Sequence, residues 1–424
     1  MPTSTHPPIL ENADLLARFN ALDAFLDEHA GLWRPRPFVH YPALPWEAQH
    51  PQLATWLRAQ SLEHAEAAHN QPHLLAAPAP FPQLATQAHA LSLIGELPQR
   101  SALSMPAQFK TDVPGRKWQQ IDAFARSLNF NQTPQHWLDW CAGKGHLGRR
   151  LAHDGSALTC LEYNPQLVNS GQQLSSKLGI DAQHITQDVM ADTAATQLHA
   201  AHTPVALHAC GDLHVRLLQL ASQAGCQQLA VAPCCYNRIS SSHYQALSKR
   251  VQGSTLQLSI DDLGLPLSET VTAGARVRRQ RDLSMARRLA FDGLQRHIRG
   301  IDEYLPTPSL PAAWLDKPFA DYCKDLAALK QLPCPGAQNW QKLEQQGWQR
   351  LAHVRNLELL RGLFRRPLEL WLLLDRALYL QEQGYEVRLG TFCAPEQSPR
   401  NMLLLAERHS ILPTTSVGNS VDRI

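Results

Sequence analysis

Between Trp137 and Leu147 the chain reads Trp-Leu-Asp-Trp-Cys-Ala-Gly-Lys-Gly-His-Leu. An apolar stretch carries one acid, Asp139, and is followed by Gly143 and Gly145 and then by a helical pattern. Glycines there let the backbone turn sharply and approach a ligand closely. The helix behind them aims its free N–H groups and positive dipole end at the same place. An anionic group, phosphate or carboxylate, suits such a site. Gly143, Gly145 and Gly148 formally complete a G-x-G-x-x-G dinucleotide fingerprint. Asp139 argues against that ligand, because a dinucleotide site has no use for a carboxylate four residues before the first glycine. A sulfonium amino acid does, since its ammonium needs a carboxylate and its carboxylate needs N–H donors. Asp139, Ala142, Gly143 and Gly145 are the residues expected to hold it.

Glu162 ends the next strand pattern, seventeen residues after Gly145. Its two oxygens can accept both hydroxyls of a ribose. Asp188, at the end of a third strand–helix unit, is placed to cap an adenine amino group. The segments His208-Ala-Cys-Gly-Asp-Leu213 and Pro233-Cys-Cys-Tyr236 follow two further strand patterns. In an open α/β sheet ligands bind outside the carboxyl ends of the strands. His208 would therefore face the cofactor and could take a proton from an acceptor near neutral pH. Asp212 reads either as a catalytic acid or as a helix N-cap. Pro233, Cys234, Cys235 and Tyr236 would line the acceptor side, with the tyrosine ring stacking on a planar group and its hydroxyl a further candidate for catalysis. No second C-x-x-C or H-x-H pair accompanies the cysteines, and the spacing predicts no metal centre.

With these residues in view, the sequence resembles the S-adenosylmethionine-dependent methyltransferases. More narrowly, Asp139–Leu147, His208–Leu213 and Pro233–Tyr236 resemble one methyltransferase-domain family. It includes the glutathione-S-transferase-C-terminal-domain-containing protein, several methyltransferase-like proteins and, more distantly, a tRNA ribose methyltransferase. Val113-Pro-Gly-Arg-Lys117 and Ser398-Pro-Arg-Asn401 also look like that group. The likeness covers about 113–260 and 360–408 and none of 1–110. It implies a Rossmann-like sheet whose first motif binds S-adenosylmethionine. Cys141 departs from the pattern, since many methyltransferases carry glycine there. RNA cytosine-5 methyltransferases use two cysteines, one to attack the base and one to release it. Here Cys234 follows the fifth strand and not the fourth, which argues against covalent catalysis.

The elements that must position these residues can be read from periodicity. Strands are expected at His136–Trp140, Ala157–Glu162, Val205–His208, Leu229–Ala232 and Leu256–Ile260, then at Tyr385–Thr391 and Met402–Ala406. Helical patterns between the early strands point to a parallel sheet with helices on its faces. The short loop 392–401 predicts an antiparallel hairpin at the sheet edge. The fold class expected is α/β: a Rossmann-like sheet with a helical N-terminal region (1–112) and a large helical insertion before the last two strands. The first part of the sheet domain spans 113–262, the Arg-rich insertion 263–360, the closing helix and strands 361–410, and a tail 411–424. Leu15, Phe19, Leu22, Phe25 and Leu26 recur at helical spacing in the first region.

Length and composition bound the rest. The 424 residues suggest two to three domains. With 39 Lys and Arg against 37 Asp and Glu, the net charge is +2, so no global field favours nucleic acid or membrane. No apolar run approaches the length of a membrane span, and the N-terminus does not read as a secretory signal. The protein is expected in the cytoplasm. Charge is concentrated locally: residues 275–300 hold eight arginines against two aspartates. Arg350, Arg355, Arg361, Arg365 and Arg366 form a second group. Arginine forks suit phosphates, which makes RNA the expected acceptor and Arg278 and Arg279 candidate backbone contacts. A protein side chain is the next acceptor considered. A binding module that keeps the sheet without methylating is the rival from another class, and Asp139 disfavours a nicotinamide-dependent oxidoreductase.

Overall fold

The computed structural model describes residues 7–268 and 274–408. An eight-stranded sheet forms the centre, in the order β1-β7-β8-β6-β5-β2-β3-β4. The strands are β1 (Leu10–Glu11), β2 (His136–Trp140), β3 (Ala157–Glu162), β4 (Ala182–Thr186), β5 (Thr203–Leu207), β6 (Gln228–Ala232), β7 (Tyr385–Thr391) and β8 (Met402–Arg408). Strands β2 to β6 pair in parallel, whereas β8 pairs antiparallel with both β6 and β7. The helices that matter below are α1 (Ala13–Glu28), α2 (Gly115–Ser127), α3 (His146–Leu151), α4 (Pro165–Lys177), α5 (Asp212–Gln223), α6 (Ala275–Arg299), α7 (Trp340–Gly362) and α8 (Arg365–Glu382). The order reverses between β2 and β5, and the crevice at such a switch point is where ligands bind in this architecture.

The parallel strands read as buried runs because helices cover both faces. Leu138, Val205, Ala206, Leu229, Ala230 and Val231 are all fully buried. Helix α8 is buried on nearly every side, with Leu368, Leu370, Leu372, Leu373, Leu374 and Leu380 at zero exposure. Each such leucine contributes about 1.5–3 kcal/mol relative to an exposed one. Leu15, Phe19, Leu22, Phe25 and Leu26 form the buried stripe of α1, as the spacing predicts. That stripe packs on α8, with Phe19 against Trp371 and Phe25 stacked on Phe364.

Several expectations need correction. Leu256–Ile260 is not a strand. The free edge of β6 is taken by β8, with Gln228 opposite Glu407. Ser259 instead opens a short helix, its side chain and that of Asp262 forming a reciprocal cap. The β7–β8 hairpin exists, but β8 lies inside the sheet, and the two-residue β1 pairs with the outer side of β7. The N-terminal region therefore adds a strand to the sheet, one too short to show alternation in sequence. It also interlocks with the insertion: Arg361 donates to the Trp33 carbonyl at 2.7 Å, and Asn356 donates to the carbonyls of Gln60 and Ser61. Among the described residues no helix is long and apolar enough to cross a membrane.

Candidate active site

The turn after β2 is built by backbone conformations that few side chains tolerate. Cys141, Gly143 and Gly145 have φ of 58°, 58° and 71°. Cysteine at 141 thus adopts a left-handed conformation that favours glycine, at a cost of roughly 1–2 kcal/mol. A Cβ at Gly145 would lie 2.6 Å from the His184 ring and 3.1 Å from Cys160 Sγ. At Gly143 a Cβ would meet nothing within 4 Å, so that stretch of backbone faces open space. Gly148, the third glycine, lets α3 press onto β3, since a Cβ there would sit 2.6 Å from Leu158.

Asp139 is buried, and its Oδ2 accepts the Gly148 N–H at 2.9 Å. Burial pushes its carboxyl up to about 7, against the pull of that hydrogen bond and of Arg149. Asp139 ties the start of α3 back to the end of β2 through Oδ2. Ala142 donates to the Leu161 carbonyl at 2.9 Å, which ties the turn to β3.

Glu162 stands where the spacing puts it, at the carboxyl end of β3. Its Oε2 accepts from Gly143 N–H at 2.9 Å and its Oε1 from Asn164 N–H at 3.0 Å. Each oxygen keeps a lone pair for a further donor. Asp188 lies exposed just beyond β4, its Oδ1 accepting the Met190 N–H at 2.9 Å. Lys144 Nζ lies 3.7 Å from Asp112. The topology gathers the turn, Glu162, Asp188 and His208 at one end of the sheet, the carboxyl ends of β2 to β5.

His208 begins just past β5 with φ 70°, another left-handed residue at the crevice. Its Nε2 lies 2.9 Å from Gln120 Oε1 on α2. With that oxygen accepting, Nε2 carries the proton and Nδ1 is the free acceptor. Burial, then Lys117 and Arg400, lower the ring to about 4. The imidazole is neutral at physiological pH and a weaker base than the sequence suggests. Asp212 is the first residue of α5 rather than its cap, which is Gly211. Asp212 Oδ2 accepts the Ser240 N–H at 2.7 Å.

The segment after β6 splits in two. Pro233 and Cys234 are buried and Cys235 is half-exposed, next to Cys210 from the loop after β5. Tyr236, expected to stack on an acceptor, is instead fully buried among core residues. Its ring meets His214 edge-on and lies under the Arg376 guanidinium at 5.3 Å. Burial drives its hydroxyl well above the usual tyrosine range, so it serves neither as an acid nor as a platform.

The arginine groups mostly turn inward. Asp292 takes Arg350 at 2.7 Å and Arg296 at 3.0 Å, Asp282 takes Arg355 at 2.6 Å, and Glu344 takes Arg287 at 3.1 Å. Arg366 meets Glu369 at 2.9 Å and Asn401 at 2.8 Å. Arg278 and Arg279 are exposed at the start of α6, and Arg278 lines a cleft with Glu66, His69 and Arg355, away from the glycine turn. A different cationic group was missed in sequence. Lys117, Arg238 and Arg400 come from three separate segments and act electrostatically on His208, Cys210 and Cys235. No sequence window holds all three.

Residues 116–242 match the family model described as a methyltransferase domain. Among solved structures, a protein of echinomycin biosynthesis that converts a disulfide bond into a thioacetal group is 18% identical. The match covers 23% of this chain and 43% of that one, at a TM-score of 0.20. The plantazolicin methyltransferase BpumL in complex with SAH is 12% identical over 48% of this chain and 68% of its own, at 0.22. Coclaurine N-methyltransferase bound to N-methylheliamine and SAH is 13% identical over 81% and 89%, at 0.24. Likenesses of that size identify no common substrate. Residues 116–242, which hold β2 to β6 and their loops, form a methyltransferase domain, and S-adenosylmethionine is the methyl donor such a domain implies.

Proposed function

We propose that the crevice at the carboxyl ends of β2, β3 and β5 transfers a methyl group from S-adenosylmethionine to RNA. The observation that carries the reading is a glycine turn open to the crevice, with Glu162 at its side. Gly143 leaves the backbone open to the donor's amino-acid end, and Gly145 lets the turn close against His184 and Cys160. Glu162 uses its remaining lone pairs on the ribose hydroxyls, and Asp188 lies one strand further along for the adenine. When bound, the sulfonium supplies an already activated methyl. The chain's task is therefore to align two reactants and exclude water. His208, held by Gln120, offers Nδ1 to the acceptor as a neutral hydrogen-bond partner.

RNA is favoured over a protein acceptor by the exposed cations Lys117 and Arg238, which act on His208 and Cys210 and suit phosphates. The likeness to a family that reaches a tRNA ribose methyltransferase agrees with it. The insertion's arginines carry little of the argument, since most are engaged by the chain's own carboxylates and carbonyls. The test is transfer of a labelled methyl group from S-adenosylmethionine into cell extract, fractionated into RNA and protein. Label in RNA that is lost with Glu162→Ala supports the proposal. Label confined to protein, or no label at all, overturns it.

A further inference from the structure

Cys210 follows β5 and Cys234 and Cys235 follow β6, on neighbouring parallel strands. Their three sulfurs all lie within 4.8 Å of one another. Cys210 Sγ is 3.3 Å from Cys234 Sγ, and Cys234 Sγ is 3.6 Å from Cys235 Sγ. Zinc–thiolate bonds of about 2.3 Å at tetrahedral angles need sulfurs about 3.8 Å apart. The three thiols are thus spaced to meet one ion with only slight adjustment. All nine cysteines are free, and 3.3 Å is well beyond the bond of about 2.05 Å in a disulfide.

The two loops are fixed to each other, which sets the sulfurs in advance. Gly211 N–H donates to the Cys235 carbonyl at 2.6 Å, and Asp212 N–H to the Arg238 carbonyl at 3.0 Å. They approach so closely that a Cβ at Gly211 would lie 1.8 Å from the Arg238 carbonyl oxygen. Pro233 stiffens the start of the second loop. Three thiolates around a divalent cation carry one net negative charge, and Arg238 and Arg400 stand near enough to offset it. Among the described residues no fourth His, Cys, Asp or Glu joins the group. Cys234 is buried, while Cys210 and Cys235 are half-exposed at the crevice end of the sheet, so the fourth vertex falls on the open side.

We infer that Cys210, Cys234 and Cys235 bind a zinc ion as three thiolates, with the fourth coordination position open to the crevice. This goes beyond the proposed methyl transfer and does not depend on it. Three protein ligands with one open position is the pattern of zinc sites that take a water or a ligand atom, whereas closed four-ligand sites are structural. The site escapes sequence inspection because its ligands come from two loops separated by a helix, in neither C-x-x-C nor H-x-H spacing.

The test uses the full-length chain, reduced and stripped of metal, titrated with zinc alone and followed by native mass spectrometry. The wild type should take up a single zinc ion per chain, and cobalt in its place should give a thiolate charge-transfer band. Cys210→Ser and Cys235→Ser should each weaken zinc more than about a hundredfold, since even outer-sphere partners cost 10–100-fold. Cys334→Ser, at an exposed thiol in the insertion, should leave affinity unchanged. Zinc should raise the melting temperature of the wild type and not of a triple variant. No zinc uptake by the reduced wild type, equal uptake by the triple variant, or a cobalt complex without the thiolate band would overturn the assignment.

Discussion

Gly143 and Gly145 look equivalent in sequence and do different work. Gly145 is hemmed in by His184, Cys160 and Arg149, so a side chain there damages the fold. Gly143 faces open space, so a side chain there fills the crevice instead. Gly143→Val should cost roughly 1–2 kcal/mol of stability through its positive φ. It should still fold, and it should lose more than about tenfold in S-adenosylmethionine affinity, about 1.4 kcal/mol of binding. Circular dichroism and calorimetry on the variant check both halves. A variant that binds as well as the wild type would move the donor away from this turn. The glycines and Glu162 are legible in sequence because a strand, a turn and the next strand's end are local features. The burial of Tyr236 is not, because it depends on what a distant segment lays over it.

At the scale of elements, α8 reaches across the molecule through two adjacent buried charges. Arg376 donates to His214 Nε2 at 2.7 Å and to the Tyr244 hydroxyl at 2.8 Å. Asp375 accepts the N–H groups of Leu247 and Ser248 at 2.9 and 2.8 Å, and also the Tyr244 hydroxyl. These bonds hold the 244–248 loop against the helix, where sequence reading looked ahead to a strand at 256–260. Apolar residues such as Leu256 and Leu258 are buried as predicted, but in a loop under α1 rather than in the sheet. Alternation reports burial, and only a free neighbouring edge makes a strand. Arg376→Leu leaves His214 Nε2 without its donor and removes the cation whose field acts on buried Asp375, and it should destabilise by about 1–3 kcal/mol. Urea unfolding midpoints measure this, and a loss under about 1 kcal/mol would deny the network a structural role.

For the whole molecule, the parallel sheet with helices on both faces follows from the β-α rhythm. The interlocking of residues 13–92 with the insertion does not, because helix–helix contacts between distant segments leave no local period. The fold buries several histidines. Burial lowers His69, His184, His202 and His208 to about 4 and His146 to about 3, below the unfolded value of 6.5. Between pH about 6.5 and 4 the unfolded chain binds more protons at these rings, so their contribution is lost as pH falls through that window. Asp139 opposes this: raised from 3.8 to about 7, it favours the fold at low pH and gives that up as pH rises between those values. Five histidines outweigh one carboxyl, and the melting temperature should drop on acidification from pH 6.5 to 4. A flat profile across that range would show these rings to be accessible to protons in the native state. The proposed methyl transfer rests on the donor occupying the crevice. The most direct measurement is calorimetric titration of the full chain with S-adenosylmethionine and, separately, with NAD. The account predicts saturable binding of S-adenosylmethionine that Gly143→Val and Glu162→Ala each weaken, with no response to NAD. Binding of NAD alone, or of neither ligand, would contradict it.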